Sequence, residues 1–338
     1  MRALRHIFLL VAVLTAASAF AADSDVTVHN KAAGIELGGT LSLPDRGSPR
    51  AVLVLASGSG QQNRDEEILG HKPFKRIAES LAERGYAVLR MDDRGIGASG
   101  SKFDGAVNAD FVSDIRAAVA FTDSLYPGVP KGVLGHSEGG TVAVRTAVAD
   151  PLCSFIITLA APAWQGDSII MSQTRAIATA MTGSWEKEGL QRRLLDIAAG
   201  PLPSFMAQNA IIQLLGEDTG AEAAAMPQVQ TQFAAAAKVM TSPWYRDMLR
   251  YNPAADIAAV DVPWLALNGS LDVQVLPGNL DTIRQLNPKA QTELLPRHNH
   301  LFQICTTGLV NEYAAIDHDI SDETLNIIAD WLDQNISK

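Results

Sequence analysis

A serine between two glycines is the first feature of the sequence that could do chemistry. Ser137 stands in the stretch KGVLGHSEGGTVAV, with Gly135 two residues before it and Gly139 two residues after it. The apolar run before the serine predicts a short strand, and the apolar residues after it recur at helical spacing. A turn this tight leaves no room for a Cβ at its flanks and exposes the polar side chain at its apex. Although so short a pattern also arises by chance, this context predicts that Ser137 is a nucleophile at a strand-to-helix elbow.

An exposed serine is a weak nucleophile, so it needs a base, and the base needs an orienting acid. Two later apolar strands end in such residues. PWLALNG continues into SLDVQV, which supplies Asp272, and QTELLP continues into RHNHLFQ, which supplies His298 and His300. Asp272 could instead cap the turn that follows it. The two histidines could bind a metal, but no third ligand lies at a familiar spacing. We therefore predict a serine, aspartate and histidine triad, and no metal site.

Attack on a carbonyl carbon produces an oxyanion, which backbone N–H groups can stabilise. The amide of Glu138, directly after the nucleophile, is one predicted donor. The second should come from the loop after AVLVLA, where the glycines of SGSG, residues 57–60, let the backbone approach a substrate. We assign this role to the amide of Ser59, with Ser57 in the place often held by a histidine. The loop lacks the lysine of a nucleotide-binding loop.

Strands and helices alternate along the parts of the chain that carry these residues. VTVHN and IELGGTLSLP predict an antiparallel strand pair with a break at Gly38 and Gly39. The further predicted strands are AVLVLASGSG, YAVLRMD, GVLGH, SFIITLA, VPWLALNG and QTELLP, and the helices lie near residues 74–83, 111–125, 138–148, 280–286 and 322–334. Buried apolar strands separated by amphipathic helices indicate an α/β domain with a mostly parallel sheet. The opening pair can form its antiparallel edge.

Residues 163–252 differ from the rest of the chain. They contain no strand-like run and are rich in Ala, Met, Gln and Leu. We predict that this segment is a helical insertion, and that residues 23–162 and 253–338 form the core. An insertion that leaves the carboxyl end of a parallel strand is well placed to cover the catalytic crevice as a lid.

The first 22 residues predict a secretory signal peptide. Two arginines precede an apolar run that ends in an A-x-A pattern, and this run is shorter than the roughly 20 residues of a spanning helix. We expect an exported protein, periplasmic or secreted, with no stable membrane association after cleavage. Cleavage would change the net charge from −10 to about −12, which argues against nucleic acid as a partner.

The two cysteines, Cys153 and Cys305, could pair in an exported protein. Cys153 precedes the strand SFIITLA, whereas Cys305 follows the loop that supplies the histidines. A strand of about six residues spans roughly 20 Å, which would separate the two thiols. We therefore expect two buried free thiols.

An arginine and several polar residues lie close to the predicted site in the sequence. Arg94, in DDRGIGAS, could bind an acidic substrate group, but a buried arginine more often pairs with carboxylates to hold loops together. We expect it to pair with Asp92, Asp93 or Asp65. Residues near the oxyanion loop that could line the pocket are Gln61, Asn63 and Arg64.

Six motifs, taken in order, carry a resemblance to a known family. They are SGSGQQNRDEE, MDDRGIGASG, GHSEGG, SPWYRDMLRYNPAADI, LALNGSLDVQV and HNHLFQ. In these the chain resembles the α/β-hydrolase superfamily, and within it the bacterial serine carboxylesterases with a GHSEGG nucleophile elbow. The resemblance implies an α/β-hydrolase fold with a helical lid and ester hydrolysis without a cofactor.

The resemblance also implies site residues. The resemblance implies that Ser137, Asp272 and His300 form the triad. His300 is chosen over His298 because the family's base directly precedes an apolar anchor, here LFQ. The chain departs from the pattern at Arg297, where a small residue is usual, and at His298, where an apolar one is usual. These departures concern the local charge and not the triad.

The leading hypothesis is an exported serine esterase that cleaves small to medium acyl esters through an acyl-enzyme, with a small-molecule ester as its partner. A peptidase or amidase could use the same triad. A binding protein on a non-catalytic hydrolase scaffold is a further alternative, because fold does not fix function. Such a scaffold would be expected to lose at least one triad residue, and none is lost.

Overall fold

A computed structural model describes residues 22–336, which are built around an eight-stranded sheet. The strands are β1 (Ala22–Asn30), β2 (Ile35–Leu43), β3 (Val52–Ala56), β4 (Ala87–Met91), β5 (Lys131–His136), β6 (Cys153–Leu159), β7 (Trp264–Gly269) and β8 (Gln291–Leu295). Their order across the sheet is β1-β2-β4-β3-β5-β6-β7-β8. The pairs β1–β2 and β2–β4 are antiparallel, and the remaining pairs are parallel. The mostly parallel sheet with an antiparallel edge confirms the predicted fold class.

Helices cover both faces of the sheet. In chain order they are α1 (Pro73–Glu83), α2 (Asn108–Leu125), α3 (Glu138–Ala149), α4 (Gly166–Thr182), α5 (Glu188–Ala199), α6 (Ser204–Thr219), α7 (Ala221–Ala224), α8 (Pro227–Met240), α9 (Pro243–Arg250), α10 (Ala254–Ala259), α11 (Gly278–Leu286), α12 (Val310–Tyr313) and α13 (Asp322–Asn335). Helices α2, α3, α10 and α11 pack on one face, and α1 and α13 on the other. Along β3, Val52 and Val54 join the first layer while Leu53 and Leu55 join the second, because successive side chains of a strand point to opposite faces.

The predicted break at Gly38 and Gly39 is wrong, since β2 runs through both glycines. A Cβ at Gly38 would overlap Ala98, and one at Gly39 would overlap the carbonyl oxygen of Arg90. The two glycines therefore let the backbone of β2 pass close to its neighbours. Glycine in a strand interior often marks such a close approach.

Residues 163–252, called the lid below, contain helices α4 to α9 and no strand. They leave the sheet after β6 and return to it before β7. Their helices enclose an apolar cluster of their own, formed by Met171, Leu194, Leu195, Ala198, Ile211, Leu214, Ala237 and Leu249. The lid is therefore packed around a small core that is distinct from the two layers of the sheet.

The predicted signal peptide lies outside the described residues, apart from its last position. Among residues 22–336, no helix has the length and apolar character needed to cross a membrane. Cys153 and Cys305 are buried free thiols. Burial raises the pKa of Cys153 to about 12 and that of Cys305 to about 11, so both are protonated at neutral pH.

Candidate active site

Ser137 occupies a strained turn between β5 and α3. Its φ is 54° and its ψ is −121°, a backbone conformation that a residue with a Cβ rarely adopts. Its N–H donates to the carbonyl of Leu159 on the neighbouring strand at 2.8 Å. A Cβ at Gly135 would overlap the backbone of Gly139, and a Cβ at Gly139 would overlap that of Ala56. Both flanking glycines are therefore required by close backbone contacts. The strained backbone of Ser137 is of a kind that clusters at functional sites.

His300 and Asp272 form a buried pair at the carboxyl ends of β8 and β7. The His300 Nδ1 lies 2.8 Å from Asp272 Oδ2. The other carboxylate oxygen of Asp272 accepts from the N–H groups of Gln274 and Val275 at 2.8 and 2.9 Å. Asp272 therefore both orients the histidine and caps the turn that follows it. With Nδ1 occupied, Nε2 of His300 is the nitrogen left to act as a base.

His298 lies away from this pair and has a structural role. Its side chain is fully buried, with Nδ1 2.8 Å from the carbonyl oxygen of Pro296 and Nε2 2.7 Å from Ser321 Oγ. Burial lowers the pKa of its imidazole. Both ring nitrogens of His298 are thus engaged by the loop scaffold.

Ser137 and His300 line one cavity of about 360 Å³. The core contributes the oxyanion loop (residues 57–60), the elbow and the loop after β8 to its wall. The lid contributes a largely apolar wall, which includes Trp164, Ile169, Ile170, Gln173, Trp244, Tyr245 and Met248. No hydrogen bond joins the Ser137 hydroxyl to His300 within residues 22–336. Such catalytic hydrogen bonds often tighten only when substrate is bound.

The two predicted oxyanion donors, Ser59 and Glu138, both line this cavity. In the described part of the chain, neither main-chain N–H has a hydrogen-bond acceptor. The amide of Glu138 is the first of α3, and the first N–H groups of a helix have no partner within it. The positive end of the helix dipole adds to its capacity to hold a negative charge.

Two carboxyl groups hold successive residues of the oxyanion loop, in roles that the sequence analysis did not give them. Ser57 Oγ donates to Asp93 Oδ1 at 2.7 Å, and the N–H of Gly58 donates to Glu66 Oε1 at 2.6 Å. The Ser59 hydroxyl lies near the carboxyl group of Glu138 and lowers its pKa, against the larger effect of burial. Burial raises the pKa of Asp93 to about 7 and also raises that of Glu138. The side chain of Ser57 therefore fixes the oxyanion loop to Asp93, a role that the sequence did not indicate.

Glu138 also connects the elbow to the lid. The indole N–H of Trp244 lies 3.1 and 3.0 Å from the two carboxyl oxygens of Glu138, and Asn108 Nδ2 lies 3.5 Å from one of them. The residue after Ser137 thus contributes both a main-chain N–H at the cavity and a side chain that contacts helix α9.

An unpredicted pair of side chains lies behind Ser137. His136 Nδ1 is 2.9 Å from Glu66 Oε1, and His136 Nε2 is 2.9 Å from the carbonyl oxygen of His300. Both side chains are buried. The position of His136 beside Ser137 was the only sequence signal that could have indicated this pair.

The structure corrects the predicted partners of Arg94. Its guanidinium pairs with Asp114 and Asp110 on α2, with Nη2 2.9 Å from Asp114 Oδ1, and not with the acids next to it in the sequence. Asp92 instead pairs with Arg64, whose Nη2 lies 2.8 Å from Oδ2, and Asp65 pairs with Arg90. Arg94 is buried scaffold, as expected, but it holds a helix and not the oxyanion loop.

The predicted pocket residues near the oxyanion loop also need correction. Gln61, Asn63 and Arg64 do not line the cavity, whereas Gln62 and Ile68 do. Arg64 is turned towards Asp92 by two guanidinium hydrogen bonds and therefore points away from the cavity. Among residues 22–336, no group of three or more His, Cys, Asp or Glu side chains could hold a metal ion.

Comparisons with known sequences agree with this architecture. Residues 47–199 match the family model described as serine aminopeptidase, S33. The chain is 28% identical over 122 residues to a monoglyceride lipase homolog of monkeypox virus, covering 36% of this chain and 41% of that protein. It is 27% identical over 153 residues to the esterase EstD of Thermotoga maritima, covering 45% and 35%. The alignments thus span less than half the length of these curated relatives.

Solved structures match over almost the whole chain. An esterase of Pyrococcus furiosus superposes with a TM-score of 0.57 at 17% identity, covering 94% of this chain and 92% of that one. The α/β-hydrolase GrgF of a Penicillium species superposes with a TM-score of 0.60 at 17% identity, covering 94% and 100%. At such low identity these matches concern the fold alone. Together with the mostly parallel eight-stranded sheet, they show that this chain has the α/β-hydrolase fold.

Proposed function

We propose that the protein is a serine esterase that hydrolyses carboxylic esters of small to medium acyl chains, as in the bacterial carboxylesterases that its motifs resemble. One observation carries the proposal: the 2.8 Å pair of His300 and Asp272 stands with Ser137 at a cavity that has an apolar wall. The curated relatives support an ester substrate, because those named above are an esterase and a homolog of a monoglyceride lipase.

The chemistry follows from the atoms at the site. Ser137 Oγ attacks the carbonyl carbon of the ester while its proton passes to His300 Nε2. The carbonyl oxygen becomes an oxyanion, which accepts hydrogen bonds from the N–H groups of Ser59 and Glu138. The alcohol then leaves with the proton from His300, and an acyl-enzyme remains. Water, deprotonated by the same histidine, releases the acid and restores the Ser137 hydroxyl. Asp272 keeps Nδ1 protonated and stabilises the imidazolium throughout.

The walls of the cavity set the expected substrate. Apolar side chains that face the site include Trp164, Ile169, Ile170, Met248 and Val310. Each methylene that such a wall removes from water contributes about 0.8 kcal/mol, until the cavity is full. The specificity constant should therefore rise from acetyl to a short or medium acyl ester and then fall, with long-chain triglycerides as poor substrates.

An aminopeptidase is the second candidate, because the matching family model is named for one and a proline iminopeptidase of Mycobacterium smegmatis has a similar fold. Such an enzyme needs a free carboxylate for the substrate amine. Among the described residues that line the cavity, only Glu66 and Glu138 carry carboxyl groups. Glu66 is fully buried with one oxygen against His136 and is therefore not accessible to a substrate amine, and both oxygens of Glu138 face the Trp244 indole N–H. This occupancy favours esters over peptides.

The test is a series of p-nitrophenyl esters of increasing acyl length, assayed beside aminoacyl p-nitroanilides with the purified mature chain. We expect ester turnover that exceeds amide turnover and is abolished in Ser137→Ala. Robust amide turnover without ester turnover would overturn the proposal in favour of the aminopeptidase. A fluorophosphonate probe addresses the non-catalytic alternative, because a binding protein without an activated serine would remain unlabelled.

We also propose that the protein is exported through residues 1–22 and does not remain bound to a membrane. The support is the charge and hydropathy pattern of that segment. Expression of the full chain in a bacterial host, followed by fractionation and N-terminal sequencing, tests this. Full-length protein retained in the cytoplasm would contradict it.

A further inference from the structure

Glu66 lies where the oxyanion loop meets the strand that carries the nucleophile. Its side chain is buried, and its φ of 51° places the backbone in the left-handed region. Oε1 accepts from the N–H of Gly58 at 2.6 Å and lies 2.9 Å from His136 Nδ1. Oε2 has no hydrogen-bond partner within residues 22–336. One oxygen atom of Glu66 therefore makes both of these contacts.

His136 carries the connection on to the base. Its Nε2 lies 2.9 Å from the carbonyl oxygen of His300, and the centres of the two imidazole rings are 4.7 Å apart. The chain of contacts thus runs from Gly58 through Glu66 and His136 to the backbone of His300. It joins the loop that would hold the oxyanion to the residue that would move the proton.

The hydrogen-bonding atoms fix the number of protons in this pair. A carbonyl oxygen can only accept, so Nε2 of His136 carries a proton. Oε1 of Glu66 already accepts from Gly58, so its contact with Nδ1 requires one more proton. This proton resides either on Nδ1, beside an ionised Glu66, or on Oε1, beside a neutral His136. The pair has no net charge in either arrangement.

The surroundings of His136 favour retention of this proton. Burial disfavours a charged imidazole, but the charge and hydrogen bond of Glu66 outweigh it and raise the pKa of His136. The carbonyl of His300 and the charge of Asp272 act in the same direction. A proton lost from this pair would leave a buried negative charge close to the oxyanion donors.

We propose that Glu66 and His136 are positioning residues, which share one proton and thereby fix the oxyanion loop relative to the backbone of His300. The inference rests on the proposed function, since it assigns roles around the same triad. Oxyanion donors act more strongly on the transition state than on bound substrate. Their displacement should therefore lower kcat and leave KM nearly unchanged, as a purely structural pair would not.

Glu66→Gln tests the proposal with little change in size. The glutamine oxygen can accept from Gly58, but it has no proton to share with His136. We expect kcat to fall about 10²-fold, the effect of misplacing a catalytic group by about 1 Å, with KM within about threefold of wild type. His136→Gln should have a similar effect, and the double variant should be no slower than the slower single variant by more than about threefold. Glu67→Gln, at an exposed neighbouring carboxylate, is the matched control.

Several outcomes would overturn the proposal: a raised KM with unchanged kcat, a folded Glu66→Gln with wild-type kcat, or single effects that multiply in the double variant. If the variants do not fold, histidine-selective nitrogen NMR of the wild-type protein replaces them. It should show His136 with Nε2 protonated and with Nδ1 either protonated or hydrogen-bonded from pH 6 to 8, and an Nδ1 signal typical of a free unprotonated ring nitrogen would overturn the proposal. Wild type and Ser137→Ala are assayed alongside. A wild type without ester turnover would refute the proposed function, while the NMR measurement still tests the shared proton.

Discussion

The two sides of the cavity are held in different ways. On the core side, directional contacts with buried groups fix each functional element, as in His300 with Asp272 and Gly58 with Glu66. On the lid side, apolar side chains such as Ile170 pack within the helical cluster. Trp244 is one of the few lid residues with a side-chain hydrogen bond to the core.

This difference separates two properties of an enzyme, the rate of the chemical step and the choice of substrate. Hydrogen bonds are sensitive to distance and angle, so they can hold reacting groups in one geometry. Apolar packing tolerates exchange of side chains of similar volume at a modest cost. Changes on the core side should therefore act mainly on kcat, and changes on the lid side should act mainly on the choice of substrate.

Loss of Ser137, the proposed nucleophile, should have the largest effect. Ser137→Ala is expected to lower kcat on the order of 10⁶-fold, because the serine acts as one unit with its base. The melting temperature should stay close to that of wild type, since alanine also has a Cβ and the strained turn is kept. Ester hydrolysis by the purified variant measures this, with Ser168→Ala on the exposed surface of the lid as the control. Residual activity above about a tenth of wild type would exclude Ser137 as the nucleophile.

The two histidines of the HNH sequence should behave differently. His300→Gln should lower kcat on the order of 10⁵-fold or more, because it removes the base. His298→Gln should keep kcat within about tenfold of wild type and lower the free energy of unfolding by about 1–3 kcal/mol, because buried hydrogen bonds are lost. Paired assays of hydrolysis and urea unfolding distinguish the two. The reverse pattern would assign the base to His298.

On the lid side, replacement of residues 163–252 by a short linker should flatten the dependence of kcat/KM on acyl length. Each methylene added to a short acyl chain should raise kcat/KM about fourfold in wild type, as expected for about 0.8 kcal/mol, and much less in the variant. Should the shortened chain not fold, Ile170→Trp fills the cavity and should move the optimum to shorter acyl groups. Val239→Trp, at an exposed lid position, is its control. An unchanged preference in a folded variant would show that core loops alone form the acyl pocket.

The smallest expected effect concerns a carboxyl group that holds the oxyanion loop. Burial raises the pKa of Asp93 to about 7, so the folded protein keeps a proton that the unfolded chain loses at lower pH. Stability should therefore decrease as the pH rises from about 4 to about 7. Asp93→Asn cannot titrate, and its loss of stability between pH 5 and pH 8 should be smaller by about 2–3 kcal/mol. Urea unfolding at both pH values measures this. Identical losses in the two proteins would show that Asp93 does not contribute.

The elements of the sheet were predictable because their signals are local. The predicted helix at 138–148 and strand SFIITLA correspond to Glu138–Ala149 and Cys153–Leu159 in the structure. Ser137, Asp272 and His300 could be proposed as one site because the carboxyl ends of parallel strands meet at one edge of a sheet. The pair of Asp272 and His300 lies where that argument expects it.

The supports of the site could not be predicted in the same way. Glu66 and His136 are 70 residues apart, and no spacing rule joins a loop carboxylate to a histidine on a distant strand. For Arg94, proximity in sequence favoured the neighbouring acids, whereas the packing of α2 brings Asp114 to the guanidinium. Such contacts depend on the three-dimensional arrangement of elements that sequence patterns describe only singly.

The separate apolar cluster of the lid has a consequence for how substrate is admitted. Contiguous packed units open as wholes, with free energies below that of global unfolding. We therefore expect helices α4 to α9 to open as one unit while the sheet, Ser137 and His300 stay in place. A substrate that enters only when they are open has its apparent affinity reduced by the fraction of molecules in that state. Amide hydrogens of the lid should accordingly exchange with solvent before those of the central strands, and ligands that close the lid should slow this exchange.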